Sequence, residues 1–356
     1  MTEGFRGLHN RNIAGFEPLP QPRALQSDLP ATPEQHATVA QARAAVAAAL
    51  RGADDRMLVI VGPCSIHDRL LAAEYAERLR NEVDRHRNDL IIVMRTYFEK
   101  PRTSLGWKGL IYDPGLDGSH DALRGLRTAR SVLLDVLSHG VPCAVEVLDT
   151  ITPQYYADLV SWAAIGARTV ESQVHRQLAS GLSFPVGFKN ATDGRVDVAV
   201  NAVAAAVEGH AFFGVDDNSL GAVVRTTGNA DSHVVLRGGD AGPNFDPSVV
   251  HSTAEAVRGV TGHARPVMVD CSHGNSGKDH QRQRLVVDSI LDQWGTGGRN
   301  GLLGLMLESN LRPGRQDWEP QKPLEHGVSI TDACIGWEET TELLERCAHR
   351  VNSTRG

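Results

Sequence analysis

The stretch MLVIVGPCS, residues 57–65, is an apolar run that stops at a Gly-Pro-Cys turn. A run of this kind, ended by turn-forming residues, is typical of a parallel strand that is buried on both faces. Because parallel sheets are covered by helices on their faces, the stretch predicts a fold in which strands and helices alternate.

Seven similar runs follow along the chain. They are LIIVMR from Leu90, CAVEV from Cys143, AIGARTV from Ala164, FPVGFK from Phe184, HVVLRGG from His233, PVMVD from Pro266 and LLGLMLE from Leu302. Intervening stretches such as 70–83 and 123–137 have helical spacing. Eight strand–helix units in about 250–300 residues predict a (β/α)8 TIM barrel. The alternative is a doubly wound open sheet, which the lack of a Gly-rich motif after the first strand disfavours.

Two segments lie outside this rhythm. Residues 1–52 form an N-terminal arm, broken by prolines and ending in an Ala-rich helix near 38–51. We expect the arm to lie outside the main fold, as a disordered tail or packed on a neighbouring subunit. Residues 53–356 form the barrel. A turn-rich centre at 216–219, flanked by apolar runs, predicts a β-hairpin insertion at about 209–232, between strands 5 and 6.

Composition excludes several classes of protein. Lys and Arg number 36 and Asp and Glu 43, so the formal net charge is −7, which disfavours a nonspecific nucleic-acid binder. No apolar run approaches the roughly 18 residues of a membrane span, and the N-terminus lacks the apolar core of a signal peptide. We therefore expect a cytoplasmic protein without a membrane partner. The odd number of widely spread cysteines favours free thiols over disulfides.

Charged residues stand where the predicted strands end, which in a (β/α)8 barrel is where functional groups lie. They comprise Glu146 and six cations, namely Arg95, Lys100, Arg102, Arg168, Lys189 and Arg237. Clustered cations repel one another unless an anion joins them, and Arg and Lys suit phosphate and carboxylate. Six cations match roughly five anionic charges, as carried by one phosphorylated carboxylic acid and one phosphate monoester. The segment EKPRTSLGWKG, residues 99–109, reads as a rigid anion-binding loop, hereafter the anion loop.

A second group at the strand ends offers metal ligands: Cys64, His273, Glu308 and Asp332. Thiolate, imidazole and carboxylate together suit a divalent Mn, Fe, Co or Zn ion, and the thiolate disfavours Mg or Ca. There is no paired Cys-x-x-Cys element of a closed zinc site. Because the four residues lie on separate segments, spacing alone leaves a buried structural cysteine and a hydrogen-bonded core histidine as alternatives.

Longer motifs carry a family resemblance. They are GPCSIHD (62–68), EKPRTSLGWKG (99–109), GARTVESQVHRQLASGLSFPVGFKN (166–190), LRGG (236–239), DCSHGNSGK (270–278), LESNL (307–311) and SITDACIGWEET (329–340). Through them the chain, from about Leu29 onward, resembles class I 3-deoxy-D-arabino-heptulosonate 7-phosphate (DAHP) synthase, or phospho-2-dehydro-3-deoxyheptonate aldolase, in its feedback-regulated subclass.

The resemblance implies a transferase that condenses phosphoenolpyruvate with erythrose 4-phosphate and water and releases phosphate. This is the first step of the shikimate pathway to chorismate and the aromatic amino acids. By motif match, one divalent metal ion is held by Cys64, His273, Glu308 and Asp332. Phosphoenolpyruvate is matched to Arg95, Lys100, Arg168, Lys189 and Arg237, and the sugar phosphate to Arg102 and Thr103. The expected catalytic residues are Lys100, Glu146, Lys189 and His273, with Glu146 or Lys189 taking the proton of the attacking water.

The resemblance also implies regulation and assembly. In this subclass the arm and the hairpin help to form a site for an aromatic amino acid. By motif match its lining comprises Pro153, Gln154, Ser183, Phe212, Gly214 and Val224. Gly214 has no side chain to crowd the tip of an aromatic ring, so tyrosine is favoured over phenylalanine as the effector. We expect a homodimer or homotetramer.

Three other functions fit parts of the pattern. A related phosphoenolpyruvate-dependent synthase acting on arabinose 5-phosphate would share the barrel and the cations, but the KPRT segment disfavours it. A barrel metallohydrolase would use the same metal ligands without needing six cations. A non-catalytic regulatory paralogue would have lost ligands that this chain keeps.

Overall fold

Eight parallel strands close into a barrel in the computed structural model, which describes residues 9–102, 106–295, 299–319 and 322–355. The barrel strands are β1 (Met57–Gly62), β2 (Leu90–Arg95), β3 (Cys143–Val147), β4 (Trp162–Ile165), β5 (Val186–Lys189), β8 (Ser232–Leu236), β9 (Val267–Asp270) and β10 (Leu302–Glu308). Around the barrel they follow the order β1-β10-β9-β8-β5-β4-β3-β2. The predicted (β/α)8 barrel is therefore confirmed.

Helices follow most of the strands and cover the outside of the barrel. They are α3 (Arg69–Arg85), α4 (Ala122–Ser138), α5 (Gln173–Ala179), α6 (Asp197–Ala206), α7 (Pro247–Thr261), α8 (Gln283–Gln293) and α9 (Trp337–Ser353). The predicted hairpin is present, as β6 (Ala211–Val215) paired antiparallel with β7 (Gly221–Arg225). In the described ranges, no helix combines the length and the apolar character that crossing a membrane requires.

The connection from β3 to β4 departs from the strand–helix rhythm. It holds two short 3-10 helices, Thr152–Tyr155 and Ala157–Leu159, in place of an α-helix. The Asp149 carboxylate accepts hydrogen bonds from the backbone N–H groups of Ile151 and Thr152, and Pro153 follows at once. These hydrogen bonds between a side chain and the backbone favour a tight 3-10 turn over an α-helix.

The N-terminal segment contributes to the core. Helix α1 (Pro22–Asp28) precedes α2 (Pro33–Leu50), which starts earlier than predicted because Thr32 and Gln35 form a capping box and Pro33 occupies the first turn. Val46, Ala49 and Leu50 of α2 pack in one cluster with the residues that fill the barrel. The expectation that the whole arm lies outside the main fold is therefore wrong for α2. The division of the chain at residue 52 stays a prediction.

Strand boundaries follow the apolar runs closely. β1, β2, β3 and β10 coincide with them, whereas β4 begins at Trp162 and ends at Ile165. The run predicted from Ala164 to Val170 turns after Ile165, because the N–H groups of Thr169 and Val170 both bond to the carbonyl oxygen of Gly166. Arg168 thus lies in a turn beyond the strand rather than within it.

The register of the barrel sets the position of the functional groups. In the β1–β10 pair, Gly62 lies opposite Glu308, and in the β10–β9 pair Met306 lies opposite Asp270. The chain segments that leave β1, β9 and β10 at their carboxyl ends therefore start side by side, at the face where such barrels carry their sites.

Candidate active site

Three of the four predicted metal ligands form one group. The ligand atoms of Cys64, Glu308 and Asp332 all lie within 4.8 Å of one another. Cys64 and Glu308 are buried, whereas Asp332 is exposed at the rim, so the group is open on one side. A thiol and two carboxylates with an open side fit a divalent ion that keeps room for a substrate oxygen.

The fourth predicted ligand, His273, lies beside this group. Its Nε2 atom is 3.8 Å from Oε1 of Glu308. Its Nδ1 atom is 3.0 Å from a carboxylate oxygen of Asp270 and 2.7 Å from the Ser272 hydroxyl. A carboxylate partner on one ring nitrogen orients the other nitrogen, as in many metal-binding histidines. Asp270 therefore turns Nε2 of His273 towards Glu308.

The predicted run PVMVD ends at Asp270, whose orienting role was not predicted. It is fully buried, which opposes its ionisation, yet the neighbouring His273 and Lys189 hold the pKa of its carboxyl well below the usual range. The Nζ atom of Lys189 lies 3.3 Å from it. One buried carboxylate thus serves both the metal group and the cationic group.

The buried cations each contact an acceptor. Arg95 places Nη2 3.1 Å from Oε1 of Glu308, and Lys100 donates to the backbone oxygen of Cys64 at 3.0 Å and to its Sγ atom at 3.2 Å. Burial alone lowers the pKa of Lys100, but Cys64, Glu146 and Glu308 outweigh it and raise the pKa. The sequence pattern shows these cations but not their acceptors. Because the acceptors offset the repulsion between the cations, the cluster can fold before an anion binds.

The aromatic ring of Tyr97, which packs against the cations, was also not predicted. The Tyr97 ring is fully buried, and its centroid lies 4.0 Å from the Arg95 guanidinium and 5.7 Å from Nζ of Lys189. A ring face stabilises cations in this range. The signal was present in the sequence, because Tyr97 continues the alternating inward positions of the strand that carries Arg95.

Arg237 directly follows the carboxyl end of β8, in the same mouth. It is 9% exposed, and its pKa is lowered by burial and by the nearby Arg168, with Asp270 acting in the opposite direction. Two like charges held together in this way favour an anionic ligand. The backbone after β8 is held by buried asparagines, since Asn190 accepts from the N–H of Arg237 and Asn244 from that of Gly238.

The remaining predicted residues surround this mouth. Glu146 is buried in β3, and a Cβ atom on Gly166 would lie 2.7 Å from its carboxylate, so glycine leaves room for it. Arg102 donates from Nε to the backbone oxygen of Trp107 at 2.8 Å. Burial desolvates the Asp332 carboxylate, but Lys100 and His273, and to a smaller extent Arg102, outweigh this effect and lower its pKa. Thr103 lies outside the described residues.

Burial dominates the protonation of the Cys64 thiol. Together with the neighbouring Glu308 it raises the pKa of Cys64 to about 11, although Lys100 acts in the opposite direction. Thiolate is the form that binds metals, so metal binding at this site releases a proton and is favoured by rising pH.

A separate cavity lies between the 3-10 turn and the hairpin. Its volume is about 140 Å³. All the residues predicted for the effector site line it, namely Pro153, Gln154, Ser183, Phe212, Gly214 and Val224. The arm reaches the same region, since the carbonyl oxygen of Pro20 accepts hydrogen bonds from the Tyr155 and Ser219 hydroxyls. The arm, the hairpin and the 3-10 turn are thereby joined.

Comparison with known proteins identifies the family. A model of the DAHP synthetase I family matches residues 29–345, and the chain belongs to that family. It is 51% identical to the Phe-sensitive phospho-2-dehydro-3-deoxyheptonate aldolase of Escherichia coli K12, over 97% of both chains. It is 47% identical to the Tyr-sensitive enzyme of that organism, over 97% of this chain and 96% of the relative.

Structure comparison agrees. The solved phospho-2-dehydro-3-deoxyheptonate aldolase of Francisella tularensis SCHU S4 is 48% identical and superimposes with a TM-score of 0.94, over 97% of this chain and all of the other. Enzymes of this family depend on a divalent metal and catalyse the first step of the shikimate pathway, the condensation of phosphoenolpyruvate with erythrose 4-phosphate. That is the activity of this chain, and the three alternative functions are set aside.

Proposed function

We propose that this chain carries out the condensation in the mouth formed by the metal group and the cationic group. The observation that carries this proposal is the contact of 3.2 Å between Lys100 and Cys64, because it makes the two groups one site. Phosphoenolpyruvate would bind to Arg95, Lys100, Arg168, Lys189 and Arg237. Arg102 and Thr103 would hold the phosphate of the sugar. Fixed cations that hold two anions together overcome their mutual repulsion and orient the reacting carbons.

The donor set of Cys64, His273, Glu308 and Asp332 suits one ion of Mn, Co, Fe or Zn. When bound, such an ion supplies Lewis-acid polarisation of the aldehyde oxygen of the sugar. Asp270 would hold His273 in the orientation that binding requires.

The bond changes assign work to the chain's own residues. The methylene carbon of phosphoenolpyruvate forms a C–C bond with the aldehyde carbon, whose C=O group becomes an alcohol, a water adds at C2, and phosphate leaves by C–O cleavage. The site must therefore remove a proton from that water, deliver one to the former aldehyde oxygen and hold the departing phosphate. Glu146 and Lys189 are the candidates for the proton, since both are buried beside the cations.

Initial rates of phosphate release test the reaction. The enzyme is assayed with phosphoenolpyruvate and either erythrose 4-phosphate or arabinose 5-phosphate, each in competition with the other. We expect turnover with erythrose 4-phosphate and little with arabinose 5-phosphate. A preference for arabinose 5-phosphate would contradict the proposal.

We further propose that the cavity between the 3-10 turn and the hairpin binds an aromatic amino acid, with tyrosine favoured. The two Escherichia coli relatives are named for sensitivity to phenylalanine and to tyrosine. A Cβ atom on Gly214 would lie 3.0 Å from a methyl carbon of Val224, so the absent side chain leaves space on a wall of this cavity. Inhibition by Phe, Tyr and Trp in turn, repeated on Ser183→Ala, tests this proposal, and an enzyme that none of them inhibits would refute it.

Finally, we propose a homodimer or homotetramer whose contact includes the outer face of the hairpin. Phe213 and Val223 pair across it and are 88% and 55% exposed, and Phe16 of the arm is 79% exposed. Large apolar side chains that are exposed in this way are typical of a protein contact. Analytical ultracentrifugation of the parent and of Phe213→Ser tests the idea, and a monomeric parent would contradict it.

A further inference from the structure

Glu99, the first residue of the anion loop, is a buried carboxyl group to which the reaction assigns no role. It is 1% exposed. One carboxylate oxygen accepts a hydrogen bond of 2.6 Å from the Thr152 hydroxyl, and the other accepts one of 2.8 Å from the N–H of Asp149. The Tyr156 hydroxyl lies 3.4 Å from the first oxygen. All three partners lie on the connection from β3 to β4.

Glu99 stands at the base of the loop, where its two ends meet. The N–H of Lys100 donates to the carbonyl oxygen of Lys108 at 2.9 Å. Gly109 has a φ of 108°, and a Cβ atom there would lie 2.0 Å from the oxygen of Phe98. The two ends of the loop are therefore hydrogen-bonded to each other and form a narrow neck. Glu99 joins this neck to the connection from β3 to β4. The next side chain, Lys100, reaches Cys64.

We propose that Glu99 is a positioning residue for the condensation, because its contacts with Thr152 and Asp149 set where Lys100 and Arg102 stand over the active site. Burying a carboxyl group with no cation beside it is costly, because the group either loses its hydration as an anion or has to stay protonated. The titratable groups around Glu99 and its partners are Asp149, Tyr112 and Tyr156. None of these is a cation.

The protonation of Glu99 supplies a specific readout. Burial raises the pKa of Glu99 to about 8, against the hydrogen bonds from Thr152 and Asp149, and the charge of Asp149 adds to the increase. At neutral pH the group is therefore mainly a neutral acid, which glutamine imitates in shape and in donor and acceptor atoms. Alanine removes both contacts.

The test compares Glu99→Ala, Glu99→Gln, Thr152→Val and Thr152→Ser in the full-length, metal-loaded enzyme. Glu82→Ala is the matched control, because Glu82 is another buried carboxyl residue, on α3. We expect Glu99→Ala and Thr152→Val to raise the KM values for erythrose 4-phosphate and for phosphoenolpyruvate, which Arg102 and Lys100 would hold, by about tenfold, the ratio that corresponds to about 1.4 kcal/mol of binding free energy. Glu99→Gln and Thr152→Ser should restore most of the affinity. The activity of the parent should fall near pH 8, where Glu99 loses its proton, and Glu99→Gln should not show this fall.

Unchanged KM values in both disruptive variants, or the same KM change in Glu82→Ala, would overturn the positioning role. If Glu99→Ala does not fold, Thr152→Val decides the outcome.

Discussion

The ammonium group of Lys100 donates to the Sγ atom of Cys64 at 3.2 Å, so a predicted substrate ligand and a predicted metal ligand touch. The contact joins the carboxyl end of β1 to the anion loop that follows β2. Two features read separately in the sequence, a set of cations and a set of metal ligands, are thereby parts of one mouth.

Replacing Cys64 with Ser should lower kcat by about a hundredfold or more, because the soft ligand is lost from the metal group. The fold should survive, since this residue lies at the end of a strand. The measurements are kcat, bound metal per chain and the circular dichroism spectrum. A variant that loses metal but keeps full activity would contradict the role of Cys64.

Substitution of individual cations should separate the two substrates. Arg168→Ala and Lys189→Ala should each weaken use of phosphoenolpyruvate by about 1.5–3 kcal/mol, the range of a hydrogen bond to a charged group. Arg102→Ala should instead weaken use of erythrose 4-phosphate. The measurement is kcat/KM for each substrate at saturation with the other. Equal losses on both substrates in all three variants would contradict two anion subsites.

Oxidation should inactivate the enzyme reversibly through Cys64 and Cys334. Cys334 is buried, and burial, Glu308 and the nearby Cys64 all raise the pKa of its thiol. Peroxide takes two electrons from the pair, forming a disulfide and water, and dithiothreitol should restore activity. Cys334→Ala should resist this reversible loss of activity. Cys347→Ala, which replaces a buried cysteine on α9, is the control and should be inactivated like the parent. Parent-like inactivation of Cys334→Ala would refute the pairing.

Arg130 should contribute strongly to stability. It is 1% exposed and donates to the backbone oxygens of Leu29 and Tyr155 and to both carboxylate oxygens of Asp158. Arg130→Met should cost about 3 kcal/mol of unfolding free energy, because partners in a buried network are left unpaired. Arg127→Met, which breaks an exposed pair with Asp28, should change it by less than about 1 kcal/mol. Similar values for the two variants, from urea unfolding, would contradict this reading.

Glu99 should also make stability depend on pH. Its pKa is about 8 in the folded chain against an ordinary 4.5, so the unfolded state releases this proton first as pH rises. The stability that this group contributes is fully present below about pH 4.5 and is lost as pH rises through 8. The difference in unfolding free energy between Glu99→Gln and the parent should therefore grow in favour of the variant from pH 5 to 8. A difference that is constant over this range would contradict the raised pKa.

Much of the barrel could be predicted because its strands are continuous apolar runs. β1, β2, β3 and β10 begin and end where those runs do. β4 was misplaced, since the apolar letters after Ile165 belong to a turn closed by hydrogen bonds to the Gly166 oxygen. The place of α2 was missed because its mainly alanine surface gave no clear apolar face to align with the barrel.

The site could be predicted in part for a similar reason. Residues such as Cys64 and Glu308 stand at strand ends, so their approach follows from the barrel register. Asp270, Tyr97 and Asn190 act by supporting other residues. Buried carboxylates, aromatic rings and amides have many structural uses, and their partners come from distant parts of the chain. Their roles become apparent only when the distances are known.

We propose that the metal ligands and the cations form one active site. The most direct test of this proposal is the initial rate of phosphate release from phosphoenolpyruvate and erythrose 4-phosphate, measured before and after complete removal of metal. We expect the rate to fall to background on chelation and to return on addition of Mn or Co. A rigorously metal-free enzyme that turns over at the full rate would contradict the assignment of Cys64, His273, Glu308 and Asp332.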